Sequence, residues 1–453
     1  MSAEERFLDS IAEEEEEECD ESSMLAGSRE ERLRIKQKNR DAINKFIGRG
    51  RKTRAVIIIP RYYGELLAWA FQRHIERAGW RVIETLGYYL GPEPIYLDVS
   101  TDSENTENCL RNGRMLLEKD ENRLVATVDI NLQHRNSIQV EAPSRMEKEI
   151  EEFITSIGTI LEKENFYRKK SFEYGYRHRF LKPGKRPWES IILSPEIKDE
   201  IRANTVGFLK KRDRWSDYGI PTRRGIILAG QPGTGKTIVC KALMAEAEGM
   251  TCITTNAYGI SEDEYITELY EMAQDLSPSI VFIEDIDLIG QNRNEFGYQK
   301  GSALLSLLNV MDGIEENREI ITVATTNCLD TLDKALGERP SRFDRVIKLG
   351  QPTLEQRREF IKLLGRKIPM DEVSQDYIAR RAEYCTPAQL QEIVHGLVIE
   401  QAGEMTKEQS YLKISKDDIE SAISRINGRN GYRLGFDIGS NHNGGYSKVI
   451  GRG

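Results

Sequence analysis

The stretch Ile226-Ile227-Leu228-Ala229-Gly230-Gln231-Pro232-Gly233-Thr234-Gly235-Lys236-Thr237 decides how this chain is read. Its first four residues are apolar and short enough to form one buried strand. The loop GQPGTGKT follows without a spacer. Gly230, Gly233 and Gly235 leave room for backbone N–H groups to turn inward around phosphate oxygens, where side chains would clash, while Gln231, Pro232 and Thr234 complete the loop. Lys236 offers a point charge to the β- and γ-phosphates, and the Thr237 hydroxyl can reach a magnesium ion. A helix starting near Thr237 would aim its positive end at the same phosphates. Strand, loop and helix stand in the order that holding a nucleoside triphosphate requires.

Two further apolar runs end in polar groups. Ser279 to Asp287 reads SIVFIEDID, with Ile280 to Ile283 as a buried parallel strand and acids at its end, where ligands sit in parallel α/β sheets. By position, Glu284 holds the magnesium through water and Asp285 orients or deprotonates the attacking water. Ile320 to Asn327 reads IITVATTN, and Asn327 is placed to contact the γ-phosphate and that water. Arg339 and Arg342 lie in ERPSRFDR, and arginines that reach a neighbouring subunit's γ-phosphate stabilise transition-state charge. The bland alternative for that segment is surface ion pairing with Glu338 or Asp344, which suits Arg345 best.

The 453 residues are too many for one core, and the 39% hydrophobic content suits globular domains. A net charge of -9 argues against a chain that binds nucleic acid along its whole length, while leaving local basic patches open. The six cysteines, Cys19, Cys109, Cys240, Cys252, Cys328 and Cys385, form no CxxC pair, which fits a reduced, cytoplasmic setting. No HExxH occurs, so metalloprotease chemistry is not expected of these residues. No run of about 18 apolar residues exists, so no transmembrane segment is expected.

Along the chain, residues 1–54 read as a charged, disordered tail. The run Glu13 to Glu18 is followed by a basic stretch including Arg29, Arg40, Arg49, Lys52 and Arg54. That stretch suits an exposed helix paired with the acidic tail, or a contact with nucleic acid or phosphoinositide. Residues 55–180 read as an α+β substrate or partner domain, with strands at Ala55–Ile59, Arg81–Leu86, Ile95–Val99, Arg123–Asp129 and Ser137–Glu141. Its helices are a run from Leu66 to near Gly79 and Met146–Glu162. Leu181 to Pro187 (LKPGKRP) is a linker candidate. Residues 188–350 alternate strands and helices, 351–427 read as helical, and 428–453 form a flexible tail with eight glycines.

Taken together, these motifs resemble the AAA ATPase family over roughly Trp188 to Ala402. GQPGTGKT is similar to its Walker A motif, IVFIEDID to its Walker B, TTN to its sensor and ERPSRFDR to its arginine-finger region. The resemblance implies an α/β P-loop module, a parallel sheet flanked by helices plus a small helical subdomain. It also implies ATP and Mg2+ as ligands and a hexameric or heptameric ring of identical subunits, with Arg339 and Arg342 acting in trans. Within the family, RWSDYGIPTRRG (Arg214–Gly225), the Glu284-Asp285 order and LLNVMDGI (Leu307–Ile314) are similar to the Rieske-protein translocases, chaperones of cytochrome bc complex assembly that move a folded substrate. Most AAA proteins place Asp before Glu at the Walker B end; the swap here is shared with that subfamily. The membrane helix of those translocases has no counterpart here, and residues 55–180 do not match their substrate domain. A threading-type pore loop is reduced to Ala257-Tyr258-Gly259. The expected function is ATP-driven remodelling or translocation of a protein substrate. The alternatives are the ATPase of a nucleic-acid-associated viral, defence or loader machine, and a nucleotide-gated scaffold that barely hydrolyses.

Overall fold

The computed structural model describes residues 29–88, 93–131, 136–182, 184, 188, 191–257, 260, 262–289, 302–313, 318–329, 343–366, 368, 370–402 and 414–431. They fall into two compact units, one drawn from 1–184, 209–224 and 246–323, the other from 185–208, 225–245 and 324–453.

The first unit begins with helix α1 (Arg29–Ile47). Ile43, Phe46 and Ile47 recur at helical spacing, and Ile43 and Ile47 are buried against Leu86, Leu116 and Val125. The basic stretch is therefore not all tail: its second half carries an apolar stripe that its charge conceals. Strand β1 (Lys52–Ile59) likewise starts before Ala55, because Lys52 and Arg54 are placed on the sheet by pairing with Glu141, at 2.8 and 3.1 Å. Burial pushes the Glu141 carboxyl up, but these two cations outweigh burial and hold it below the ordinary carboxylate range.

The antiparallel sheet runs β1-β6-β5-β4-β2, with β3 also on β4. Its strands are β2 (Arg81–Leu86), β3 (Ile95–Ser100), β4 (Thr106–Lys119), β5 (Asn122–Asp129) and β6 (Asn136–Pro143). The hub is β4, which the sequence reading missed. Arg111-Asn112-Gly113-Arg114 interrupts its apolar alternation, and buried Asn112 is tied to the neighbouring strand by donating to Asp129 Oδ1 at 3.1 Å. Helices α2 (Gly64–Ala78) and α3 (Glu147–Lys163) pack on each other, and α3 lies on β1 and β6. Their interface includes Phe71 against Phe153, with ring centroids 6.3 Å apart. Helix α2 ends at Gly79, at φ 73°, and Trp80 N–H donates to Ile75 O at 3.1 Å, a left-handed stop that the sequence signalled.

After α3, strands β7 (Ser171–Glu173) and β8 (Arg179–Phe180) form a short hairpin. From there the chain runs α4 (Pro195–Ala203), β9 (Arg224–Ala229), α5 (Lys236–Glu246), β10 (Thr251–Asn256), α6 (Asp263–Asp275), β11 (Ser279–Glu284), α7 (Ser302–Gly313), β12 (Ile320–Thr326), β13 (Arg345–Lys348), α8 (Leu354–Gly365), α9 (Glu372–Arg381), α10 (Pro387–Ala402) and α11 (Lys416–Gly431). Within the first unit, neighbouring strands follow the order β8-β7-β10-β11-β12. The pairs β7–β10 and β10–β11 are parallel, with Cys252 opposite both Ser171 and Ile280. Within the second unit the order is β13-β9-β12, and β13 runs parallel to β9. Alternating strands and helices with parallel pairing are the α/β arrangement that the hydrophobic pattern implied.

Helices α8 to α11 share a core of Ile361, Ile378, Leu390, Ile393, Leu397 and Ile423. Thr353 and Gln356 close a reciprocal capping box at the start of α8. Helix α11 continues to Gly431, past the start of the glycine-rich segment at 428, since Ile419, Ala422, Ile423 and Ile426 keep one face buried.

A pH dependence follows from His178, buried in the first unit. Its Nε2–H donates to Tyr62 O at 2.9 Å, and burial pushes its pKa down to about 4. The folded chain keeps this ring neutral, whereas an unfolded histidine takes up a proton near pH 6.5. The stability is thus fully present above about pH 6.5 and is lost as pH falls through the folded value, by roughly 3 kcal/mol. The urea midpoint is expected to fall between pH 7 and 4.5, and His178→Gln, which preserves a donor, is expected to flatten that fall. An unchanged slope in the variant would remove His178 as its source.

Candidate phosphate-binding site

The loop is delivered by β9, whose Ile226, Ile227 and Leu228 are fully buried. The strand's start is pinned on both sides: Gly225 N–H donates to Asp344 Oδ2 at 2.9 Å, and Asp344 N–H donates to Gly225 O at 2.8 Å. Asp344 is therefore a backbone anchor rather than a mere surface partner for arginine. Gly230 N–H then donates to Thr326 O at 3.2 Å, seating the loop beside the end of β12. A Cβ at Gly230 would stand 2.4 Å from Leu349 O, so no side chain fits there.

Beyond Gly230 the chain turns. Thr234 Oγ1 donates to Gln231 O at 2.9 Å, and Gln231 and Pro232 are exposed at the tip. Gly233 and Gly235 adopt φ 82° and 101°, a region closed to most side chains, which lets successive N–H groups face one concavity. Gly233 O accepts from Ala388 N–H at 3.3 Å, so the first turn of α10 closes on the loop. The sequence reading gave no role to this contact. Its signal was the capping pattern Thr386-Pro387-Ala388-Gln389, in which Thr386 and Gln389 bond reciprocally.

Lys236 opens α5 and is buried. Its ammonium donates to Gly230 O at 2.7 Å, Gln231 O at 3.2 Å and Asn327 Oδ1 at 2.7 Å. Lys236 and Asn327, picked from motifs far apart in the chain, thus meet directly. Thr237 lies exposed on the first helical turn. Loop N–H groups, a helix start and a positioned ammonium are the donor set that polyphosphate requires, and a hydroxyl beside them suits a hard cation such as Mg2+.

The acids belong to the first unit. Ile280 to Ile283 are essentially inaccessible, and Glu284 ends β11 half-buried. Asp285 takes φ 53°, ψ 51° at the turn that follows, a left-handed conformation that Asp tolerates better than most residues. Asp287 is buried in the next turn. Arg339, Arg342, Tyr258 and Gly259 lie outside the described residues.

Comparison with known proteins bears on this geometry. The model of the ATPase family associated with various cellular activities (AAA) matches residues 226–351. The ATP-dependent zinc metalloprotease FtsH 2 of Thermoanaerobacter sp. (strain X514) is 34% identical over 239 residues, 51% of this chain and 45% of that protein. The ATP-dependent zinc metalloprotease FtsH 3 of Synechocystis sp. is 35% identical over 237 residues, 49% and 36% of the two chains. That of Symbiobacterium thermophilum is 35% identical over 251 residues, 53% and 39% of the two chains. The chain spans less than half the length of these relatives.

Proposed function

We propose, on the premise that this chain carries an AAA ATPase domain, that it hydrolyses ATP as a homo-oligomeric ring and uses the energy to remodel or translocate a protein substrate. The observation that carries the reading is the Lys236 ammonium, held at 2.7 Å from Asn327 Oδ1 beside a loop in which Gly233 and Gly235 take φ of 82° and 101°. In this reading Lys236 turns from the loop carbonyls to the β- and γ-phosphates, which the loop's N–H groups and the start of α5 also bind. Thr237 and, through water, Glu284 would hold Mg2+, which when bound neutralises phosphate charge and fixes the oxygens in place. Asp285 orients the attacking water and takes its proton, Asn327 fixes the water's position, and the bond from the γ-phosphorus to the bridging oxygen breaks to leave ADP and phosphate. Arg339 and Arg342 offset the charge that develops, reaching in from a neighbouring subunit.

The finer likeness to the Rieske-protein translocases rests on Arg214–Gly225, the Glu284-Asp285 order and Leu307–Ile314. It favours movement of a folded substrate over threading. The relatives named above are metalloproteases, and each matches about half of this chain. No described helix is long and apolar enough to cross a membrane. The cytoplasmic setting we propose rests on the dispersal of the cysteines along the chain. A nucleic-acid role would draw on the basic stretch at 29–54, but Lys52 and Arg54 are engaged by Glu141.

Mixing two inactive chains tests the shared site. Lys236→Ala lacks the phosphate lysine and Arg342→Ala lacks the proposed trans arginine. If the arginine acts across the interface, mixed assemblies regain a site with both groups, and phosphate release is expected to return to about a quarter of the wild-type rate. Mixtures as inactive as either parent would overturn the intersubunit assignment.

A further inference from the structure

Among the described residues, the antiparallel domain and α6, the helix before the acid-bearing strand β11, are joined by a polar cluster that the ATPase reading leaves without a role. Arg61 follows β1, in the short turn before α2. Its side chain is only 11% exposed, and Nε donates to Glu268 Oε2 of α6 at 2.7 Å. Tyr174, just past β7, donates its hydroxyl to the same carboxylate oxygen at 3.1 Å. The Arg61 guanidinium also lies over the Tyr265 ring, 4.2 Å from its centroid. One turn away, Arg177 donates to buried Glu65 of α2 at 2.6 Å, and His178 binds Tyr62 O. The segment 61–65 is thus fixed both to the β7–β8 hairpin and to α6.

Helix α6 is well placed to carry a signal. Its inner face buries Ile266, Leu269, Tyr270 and Met272, and Tyr270 OH lies 2.8 Å from Thr322 Oγ1 of β12. Leu276 to Pro278 then lead directly into β11, the strand that ends at Glu284. Arg61 grips the outer side of α6, four residues along from Glu264 and seven before the helix ends at Asp275, counting from Glu268. Backbone pairing adds a second tie, since Tyr174 N–H donates to Thr254 O at 2.8 Å and Cys252 N–H to Lys170 O at 2.8 Å. An ion pair largely withdrawn from solvent is a costly way to gain stability, and its better-attested use is to fix one arrangement.

We propose that Arg61 is a positioning residue which, through Glu268, Tyr174 and Tyr265, pins the antiparallel domain to α6, so that the nucleotide state sensed at the end of β11 is passed to β1 and α2. The proposal rests on the ATP-binding reading above. Coupling needs an element biased by both sites, and α6 touches the arginine on one side and the acid-bearing strand on the other.

Hydrogen–deuterium exchange on the full chain tests this, with and without saturating ADP, alongside nucleotide affinity on the same samples. In the wild type, nucleotide is expected to change protection across Lys52–Ala78. Arg61→Met is expected to keep nucleotide affinity within about threefold while losing most of that change, and Arg61→Lys, which restores the charge, to recover part of it. Glu268→Gln, which keeps shape and an acceptor, is expected to lose part of the response and serves if Arg61→Met does not fold. A clamp that is only structural would alter exchange equally with and without nucleotide. A full nucleotide response in both Arg61→Met and Glu268→Gln, or none in a wild type that binds ADP, overturns the proposal. A wild type that binds no ADP overturns the ATP reading instead.

Discussion

Replacing Lys236 by alanine is expected to weaken ATP binding by at least about a hundredfold, beyond detection at ordinary nucleotide concentrations. The loss has two parts. A charge-assisted contact to the phosphates disappears, worth roughly 1.5–3 kcal/mol. Gly230 O, Gln231 O and Asn327 Oδ1 also lose the ammonium that organises them, so the loop forfeits its shape as well as its charge. Titration with a fluorescent ATP analogue measures the affinity, and a thermal melt separates this from unfolding. Binding within a few-fold of wild type would show that Lys236 does not face phosphate.

Asp285→Asn is expected to behave in the opposite way, with affinity within about threefold and turnover reduced by about a hundredfold or more. The amide matches the carboxylate in size and suits the left-handed backbone at this turn, φ 53°, so the fold should tolerate it. What it lacks is the basicity to take the water's proton. Single-turnover and steady-state phosphate release would both report the loss. Normal turnover would transfer the role to Glu284, with Glu284→Gln as the next variant, and would make the swapped order of acids a true exchange of duties.

What the sequence makes legible is what backbone chemistry demands locally. A phosphate loop needs glycines at set positions, a lysine and a strand before it, and Gly230 to Thr237 supply them within a few residues of one another. The strands β9, β11 and β12 contain the apolar runs Ile226–Ala229, Ile280–Ile283 and Ile320–Ile321, as suits parallel strands covered on both faces, so they stand out from their surroundings. The antiparallel domain is harder to read. Asn112 and Gly113 break the alternation of β4, and only the partner Asp129 on β5 explains the buried amide. Helix α1 hides Ile43 and Ile47 among cations, and their burial becomes visible only once Leu116 and Val125 are placed beside them.

Long-range pairings are invisible for the same reason. Nothing in Ser171 to Glu173 announces that this strand will lie parallel to β10, or that Arg61 will meet Glu268 across 207 positions. The Ala388–Gly233 contact is an intermediate case. The capping pattern at Thr386 is readable, but its seat on the loop comes from tertiary packing.

The central claim, that Gly230 to Thr237 serve an ATP-hydrolysing enzyme, is tested most directly by steady-state phosphate release from ATP with magnesium, comparing the full chain with Lys236→Ala. A saturable rate at least about tenfold above that of the variant is the result expected. Equal rates in the two proteins would contradict it.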